Sequence, residues 1–196
     1  MLSRNLIGFV GQPGHGKSTA IRVAQRLFGA VAFDTGAPLR RGCMDRYGLS
    51  WNDVFTQEGK LRMVRRPERG DVVTVRQALG DFGKEIEATS PDKNIWTTIA
   101  VDDALQTLFP LIVFDSVRMG QGEVIQRAGG FVIEIVDPRK PSSSHDFDQY
   151  DPRFVNCRVT NNGSIEKFEQ DVEIALLWAM LTDAQRAAWE ASAKAA

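Results

Sequence analysis

The sequence predicts an α/β domain: a parallel, five-stranded sheet flanked by helices. Three observations predict it. Short apolar runs end at glycine or aspartate, stretches with helical spacing separate them, and a glycine-rich stretch, GQPGHGKS (residues 11–18), joins the first run to the first helix. Strands that alternate with helical stretches need crossover connections, and crossovers give parallel neighbours.

The elements follow in order. Leu6 to Val10 reads as a buried strand. Thr19 to Phe28 places Ile21, Ala24, Leu27 and Phe28 at helical spacing. GAVAFD is a second strand, ending at Asp34. APLRRGCMDRYGL is helical and stops near Gly48, and Ser50 caps a short helix, WNDVF. Residues 57–72 are polar and rich in charge and read as a mobile surface segment. Val73 to Glu87 returns to helical spacing, and another helix is expected from about Pro91 to Leu108. PLIVFD is the clearest buried strand. GEVIQRAGG is a short helix closed by Gly129 and Gly130, and FVIEIVD is the next strand. Residues 138–153 have no periodicity and form a loop long enough to act as a lid. FVNCRVTN is the last strand. Ser164 opens a long amphipathic helix through Leu181, and Thr182 with Gln185 resembles a capping box opening an alanine-rich tail, residues 182–196.

The 196 residues suit a single domain, and apolar residues make up 43%, enough for a sizeable core. With 24 basic and 25 acidic residues the charge nearly balances, which argues against a partner such as long nucleic acid held on a broad basic face. Cys43 and Cys157 have no metal-ligand spacing and read as reduced thiols. The first apolar run is too short for a signal peptide, and no run approaches membrane-spanning length. The expectation is a cytoplasmic protein with no membrane partner. A homodimer is compatible, with the helix from Ser164 packing on a second subunit or on its own domain.

GQPGHGKS fits the pattern GxxxxGK[ST] after a strand and before a helix. Gly11, Gly14 and Gly16 permit turns that a side chain would block. Their N–H groups and the following helix N-terminus then cradle phosphate oxygens. His15 contributes mainly its backbone. Lys17 supplies a point charge for the β- and γ-phosphates, and Ser18 a hydroxyl for Mg²⁺. The reading is a nucleotide site whose cofactors are ATP and Mg²⁺. Asp115 ends the clearest strand, at the edge that faces a ligand crevice in a parallel sheet, where it can hold Mg²⁺ or orient an acceptor. Arg118 lies three residues on and can meet a phosphate. The structural alternative makes Asp115 a helix cap and Arg118 a surface charge. Asp34 ends the second strand in the same way and is equally suited to capping the next helix. Arg40 and Arg41 follow it; one can face an acceptor phosphate, or both can lie on a solvated face. Trp51 or Phe55 can stack on a base or pack internally.

The order of these motifs resembles the deoxynucleoside monophosphate kinases of tailed bacteriophages, within the P-loop nucleoside monophosphate kinases. GQPGHGK is similar to the phosphate loop of adenylate kinases. FDTGAPLRR, VRQALGDFGKEI, VFDSVRMGQGEVIQRAGGFVIEI, HDFD and VTNNGSIEKFEQDV resemble that family's blocks in the same order, over roughly residues 5–177.

The resemblance implies a P-loop kinase fold that transfers the γ-phosphate of ATP to a deoxynucleoside monophosphate. It implies that Gly11 to Thr19 hold ATP, Thr19 included, and that Arg76 grips the acceptor phosphate. Asp115 and Arg118 then lie at the reaction centre, and Arg139 enters the lid. An acceptor-binding region falls at about residues 37–90, inside a core of about 5–181. The chain departs from the family pattern after Arg118, where Glu123 can stand for a missing glutamate, and at Asp148, where the family has glutamate. Outside that family, the same motifs fit a P-loop kinase of another small phosphorylated metabolite or an ATP-hydrolysing switch.

Overall fold

A computed structural model describes residues 5–115, 117–142, 149–182 and 184–188. In chain order its first elements are β1 (Asn5–Val10), α1 (Lys17–Phe28), β2 (Val31–Asp34), α2 (Ala37–Tyr47), α3 (Trp51–Phe55), β3 (Met63–Arg66) and β4 (Asp71–Thr74). These are followed by α4 (Val75–Thr89), α5 (Ile95–Leu105), β5 (Leu111–Asp115), α6 (Gln121–Arg127), β6 (Phe131–Val136), β7 (Cys157–Thr160) and α7 (Ile165–Met180). The chain forms two compact units, one of Met1–Asp34 with Ala104–Ala196, the other of Thr35–Asp103.

The first unit is the sheet. Its strands run in the order β2-β5-β1-β6-β7, and every pairing is parallel. β1 is central and shows apolar residues to both faces, so five of its six residues are buried. On one face α1 and α7 cover Ile7, Phe9, Ile133 and Ile135 with Val23, Phe168, Val172 and Leu176. On the other, a Cβ at Gly8 would meet Ile125 of α6 at 2.7 Å, so this helix needs glycine on β1 to come close. From β1 the chain goes first toward β2, and later returns to place β6 and β7 on the other side. The carboxyl end of β1 is therefore the switch point where open α/β sheets bind ligands.

The second unit packs α2, α3 and α4 with a β3–β4 hairpin around Cys43, Val54, Val64, Val75, Leu79 and Phe82. The sequence predicts a structureless segment over 57–72. Instead it holds a 3₁₀ turn at Gly59–Leu61 and the hairpin. The strand pattern is hidden because a buried position is an arginine: Arg66 is 4% exposed, with Asp71 and Asp81 on its guanidinium. The helix expected from Val73 begins at Val75, where the Thr74 side chain accepts from the Gln77 N–H and caps it. α5 is shorter than the expected 91–108. Likewise, Pro152–Phe154 is a 3₁₀ turn ahead of a four-residue β7. The Thr182–Gln185 capping box is formed in both directions. Among the described residues, no helix is long and apolar enough to cross a membrane.

Candidate active site

The phosphate loop spans β1 to α1. Gly11, Gly14 and Gly16 have φ of 137°, 77° and 118°, values that L side chains avoid. Its carbonyls face donors from the flanking structure. Lys17 Nζ donates to the Gly11 oxygen at 2.6 Å and the Gln12 oxygen at 3.0 Å. Lys140 Nζ donates to the Gly14 oxygen at 2.6 Å, and Asn161 Nδ2 to the His15 oxygen at 3.1 Å. In a planar trans peptide the N–H points opposite to the C=O. The N–H of Gly16 is thereby directed away from Asn161, as an anion cradle requires. Ser18 is exposed and Thr19 partly so; Arg22 donates to the Thr19 hydroxyl at 3.0 Å.

His15, expected to contribute mainly its backbone, also has a structural side chain: the residue is 4% exposed, and Nδ1 accepts the Asp137 N–H at 3.2 Å. The imidazole therefore ties the loop to the end of β6. Asp137, also buried, takes Arg139 through Nε at 2.8 Å and Nη2 at 3.0 Å, while Arg139 also donates to the Asn161 carbonyl at 3.1 Å. The Arg139 guanidinium holds the Asp137 carboxyl down to about 2. His15, Asp137, Arg139 and Asn161 thus close a ring around the back of the loop. Lys140 falls in the segment read as a lid, whereas Asp137 and Asn161 are not singled out by the sequence. Their signal is faint: a polar run, DPRK, after one strand and NN after the next.

Asp34 and Asp115 are register partners at the carboxyl ends of adjacent β2 and β5. In-register parallel neighbours stand about 4.8 Å apart, so two carboxylates share one edge of the sheet beside β1. The N-cap positions themselves are Gly36 in α2 and Gly120 in α6. Arg118 is exposed. Its N–H donates to Gln121 Oε1 at 2.9 Å, and its carbonyl accepts the Gln121 N–H at 2.9 Å. Glu123 sits in the first turn of α6. Asp148 and His145 lie outside the described residues.

The second unit gathers a different set. The Arg40 guanidinium lies 5.1 Å from the centre of the Phe55 ring, and Trp51 stacks on Phe55 at 5.0 Å and 13°. Trp51 is 59% exposed. Arg76, exposed at the start of α4, donates to Gln57 Oε1 at 2.8 Å. Arg41 instead pairs with Asp103. One arginine of this unit thus lies over a stacked aromatic pair and another bonds an amide. Gln57 is a member the sequence does not reveal, because it lies in the misread segment.

No protein-family model matches the chain, and no curated protein matches it. Solved structures do. The protein TT1252 from Thermus thermophilus superposes with a TM-score of 0.53 at 17% identity, over 92% of this chain and 100% of its own. Dephospho-CoA kinase from Campylobacter jejuni gives 0.48 at 15% identity, over 89% and 96%. Shikimate kinase from Acinetobacter baumannii gives 0.45 at 15% identity, over 92% and 97%. The chain has an α/β architecture, a five-stranded parallel sheet flanked by helices, and shares its fold with TT1252.

Proposed function

We propose that the chain is an ATP-dependent kinase whose acceptor is a deoxynucleoside monophosphate, giving the diphosphate. The observation that carries the kinase reading is the loop itself: three left-handed glycines leading to Lys17, with the Gly14 and His15 carbonyls bonded by Lys140 and Asn161 and the Asp34–Asp115 pair on the neighbouring strands.

The residues present fit ATP and Mg²⁺. The loop offers N–H donors, Lys17 an ammonium, and Ser18 with Asp115 the oxygen ligands that a magnesium ion shared with phosphates needs. Bound there, Mg²⁺ would neutralise charge on the phosphates. Lys17 then holds the transferring group. Arg118 balances the charge that develops on it, and Arg139 contributes to the ATP side. The acceptor phosphate is itself the nucleophile and is already anionic, so positioning and charge neutralisation carry the reaction. The Thr35–Asp103 unit supports the acceptor reading. Within it, Arg76 suits the monophosphate, and the Arg40–Phe55–Trp51 stack suits a base; in the sheet unit, Asp34 and Glu123 are the remaining substrate candidates.

The test is to mix the protein with ATP, Mg²⁺ and each of the four deoxynucleoside monophosphates and to quantify diphosphate. Acceptor-dependent transfer is expected. Lys17→Ala should abolish it, and Arg76→Ala should raise the acceptor KM without changing ATP binding. Transfer to none of the four, with ATP still bound, would overturn the acceptor assignment and direct the search to other phosphorylated metabolites. ATP hydrolysis with no acceptor at all would favour a nucleotide switch.

A further inference from the structure

Met119 is the non-glycine residue with positive φ among the described residues, at 42°. It has no intrinsic reason to be there, since the left-handed region costs an L residue about 1–2 kcal/mol. Such a conformation persists only where the surroundings over-determine it. Here they do. The Met119 N–H donates to the Gln149 carbonyl at 2.8 Å, and the Asp151 N–H donates to the Met119 carbonyl at 3.2 Å. Residues 149–151 thus add a one-residue parallel bridge, Met119 to Tyr150, beside the chain leaving β5.

Tyr150 holds that bridge from behind. Its hydroxyl donates to Glu134 Oε1, and Arg158 Nε donates to Glu134 Oε2. Glu134 is 5% exposed, on β6, opposite Arg158 on β7. A buried carboxylate is costly without partners, so this one holds its two tightly. Burial, then the Glu134 contact, pushes the phenol well above its ordinary range, so it remains a donor. Downstream, Gln126 Nε2 donates to the Phe154 carbonyl at 3.0 Å, and a Cβ at Gly122 would meet Phe154 at 2.9 Å. The strap 149–154 is fixed at both ends.

Arg118 immediately precedes the clamped residue, and its own N–H and carbonyl are both held by Gln121. We propose that Tyr150 is a positioning residue for Arg118: its hydroxyl, seated on the buried Glu134 carboxylate, fixes the strap that clamps Met119, and the clamp sets the direction in which Arg118 leaves the backbone. The consequence for catalysis rests on the kinase reading above, in which Arg118 neutralises the transferring group. The clamp itself does not.

The experiment is a two-by-two set: the parent, Tyr150→Phe, Met119→Gly and the double variant. Glycine adopts positive φ without the clamp, so the two changes must couple. Amide hydrogen exchange is read first. Tyr150→Phe should speed exchange at Met119 and Asp151 by about tenfold or more and leave β5 unchanged. In the Met119→Gly background, the same change should have little effect. Phosphoryl transfer is read second. Tyr150→Phe should lower kcat about tenfold with the ATP KM unchanged, and again much less in the glycine background. Should Tyr150→Phe fail to fold, Glu134→Gln is read in its place: an amide has one oxygen and one N–H₂ donor, so it cannot accept from both the phenol and Arg158, and the seat of Tyr150 is weakened with the ring left in place. Unaltered exchange in Tyr150→Phe overturns the clamp. An equal kcat loss in both backgrounds overturns the link to Arg118. If no variant transfers phosphate, the kinase reading fails, and the exchange data alone still decide the clamp.

Discussion

Gly11→Ala tests the phosphate cradle most directly. Gly11 has φ of 137°, and a Cβ there would stand 2.3 Å from the Ile135 carbonyl oxygen, where real Cβ atoms stop near 3.0 Å. Loop and strand must therefore part by about 0.7 Å or more. β6 cannot yield, because it is paired to β1 on one side and β7 on the other, with Ile135 fully buried. The loop must move instead. The backbone conformation costs about 1–2 kcal/mol, and forcing atoms into packed structure adds about 1–3 kcal/mol. A loss of about 3 kcal/mol is expected in urea denaturation, equivalent to a Tm lower by about 6–12 °C for a chain of this size. Gly29→Ala is the control. It shares the left-handed backbone, with φ of 62°, but a Cβ there meets nothing within 4 Å. It should cost only about 1 kcal/mol. Titration calorimetry with ATP should show binding lost in Gly11→Ala and kept in Gly29→Ala. The reasoning is refuted if the two variants are equally stable, or if Gly11→Ala binds ATP like the parent.

The Asp137–Arg139 pair makes stability depend on pH in the acid range. The folded carboxyl sits at about 2, below its ordinary 3.8, so the unfolded chain takes up the proton first and stability falls as pH drops from about 4 to 2. The Tm gap between the parent and Arg139→Met should be full at pH 6 and close toward pH 2; a gap that holds constant contradicts the assignment. Burial pushes the Cys43 and Cys157 thiols up to about 11, so at pH 8 only about one in a thousand is thiolate. Both should react more slowly with a disulfide reagent in the native protein than in urea, the buried Cys43 more slowly than the half-buried Cys157; rapid native labelling of Cys43 would contradict its burial.

The central strands β1, β5 and β6 were legible because they are apolar runs bounded by Gly or Asp, a pattern set by burial on both faces. The phosphate loop was legible because its chemistry is local: glycines, lysine and serine within eight residues. What escaped is non-local or inverted. The β3–β4 hairpin escaped because Arg66 occupies an inward position that only Asp71 and Asp81 make tolerable. Gln57 was lost with it. The His15 side chain was undervalued because its partner, the Asp137 N–H, lies 122 residues away and is a backbone group. The Tyr150–Glu134–Arg158 cluster joins a loop and two strands, and no spacing in the chain announces it.

Positive φ values separate architecture from function in this chain. Eight described residues carry one. Gly29 and Gly48 close α1 and α2, Gly129 follows α6, and Gly70 turns the β3–β4 hairpin. Each of these ends or reverses an element, and a Cβ at any of them would meet nothing within 4 Å. The other four are Gly11, Gly14, Gly16 and Met119. None of these closes a helix C-terminus or turns a hairpin, Gly16 standing instead at the N-cap of α1; all follow the carboxyl ends of β1 and β5, the strands that carry Lys17 and Asp115 to the switch point. Three are braced by Lys140, Asn161 or the Ile135 carbonyl, the fourth by residues 149–151. Unfavourable backbone held in place by its surroundings at one edge of a sheet is a reason to look for chemistry there. At this edge the conformational cost and the charged residues of the proposed site coincide.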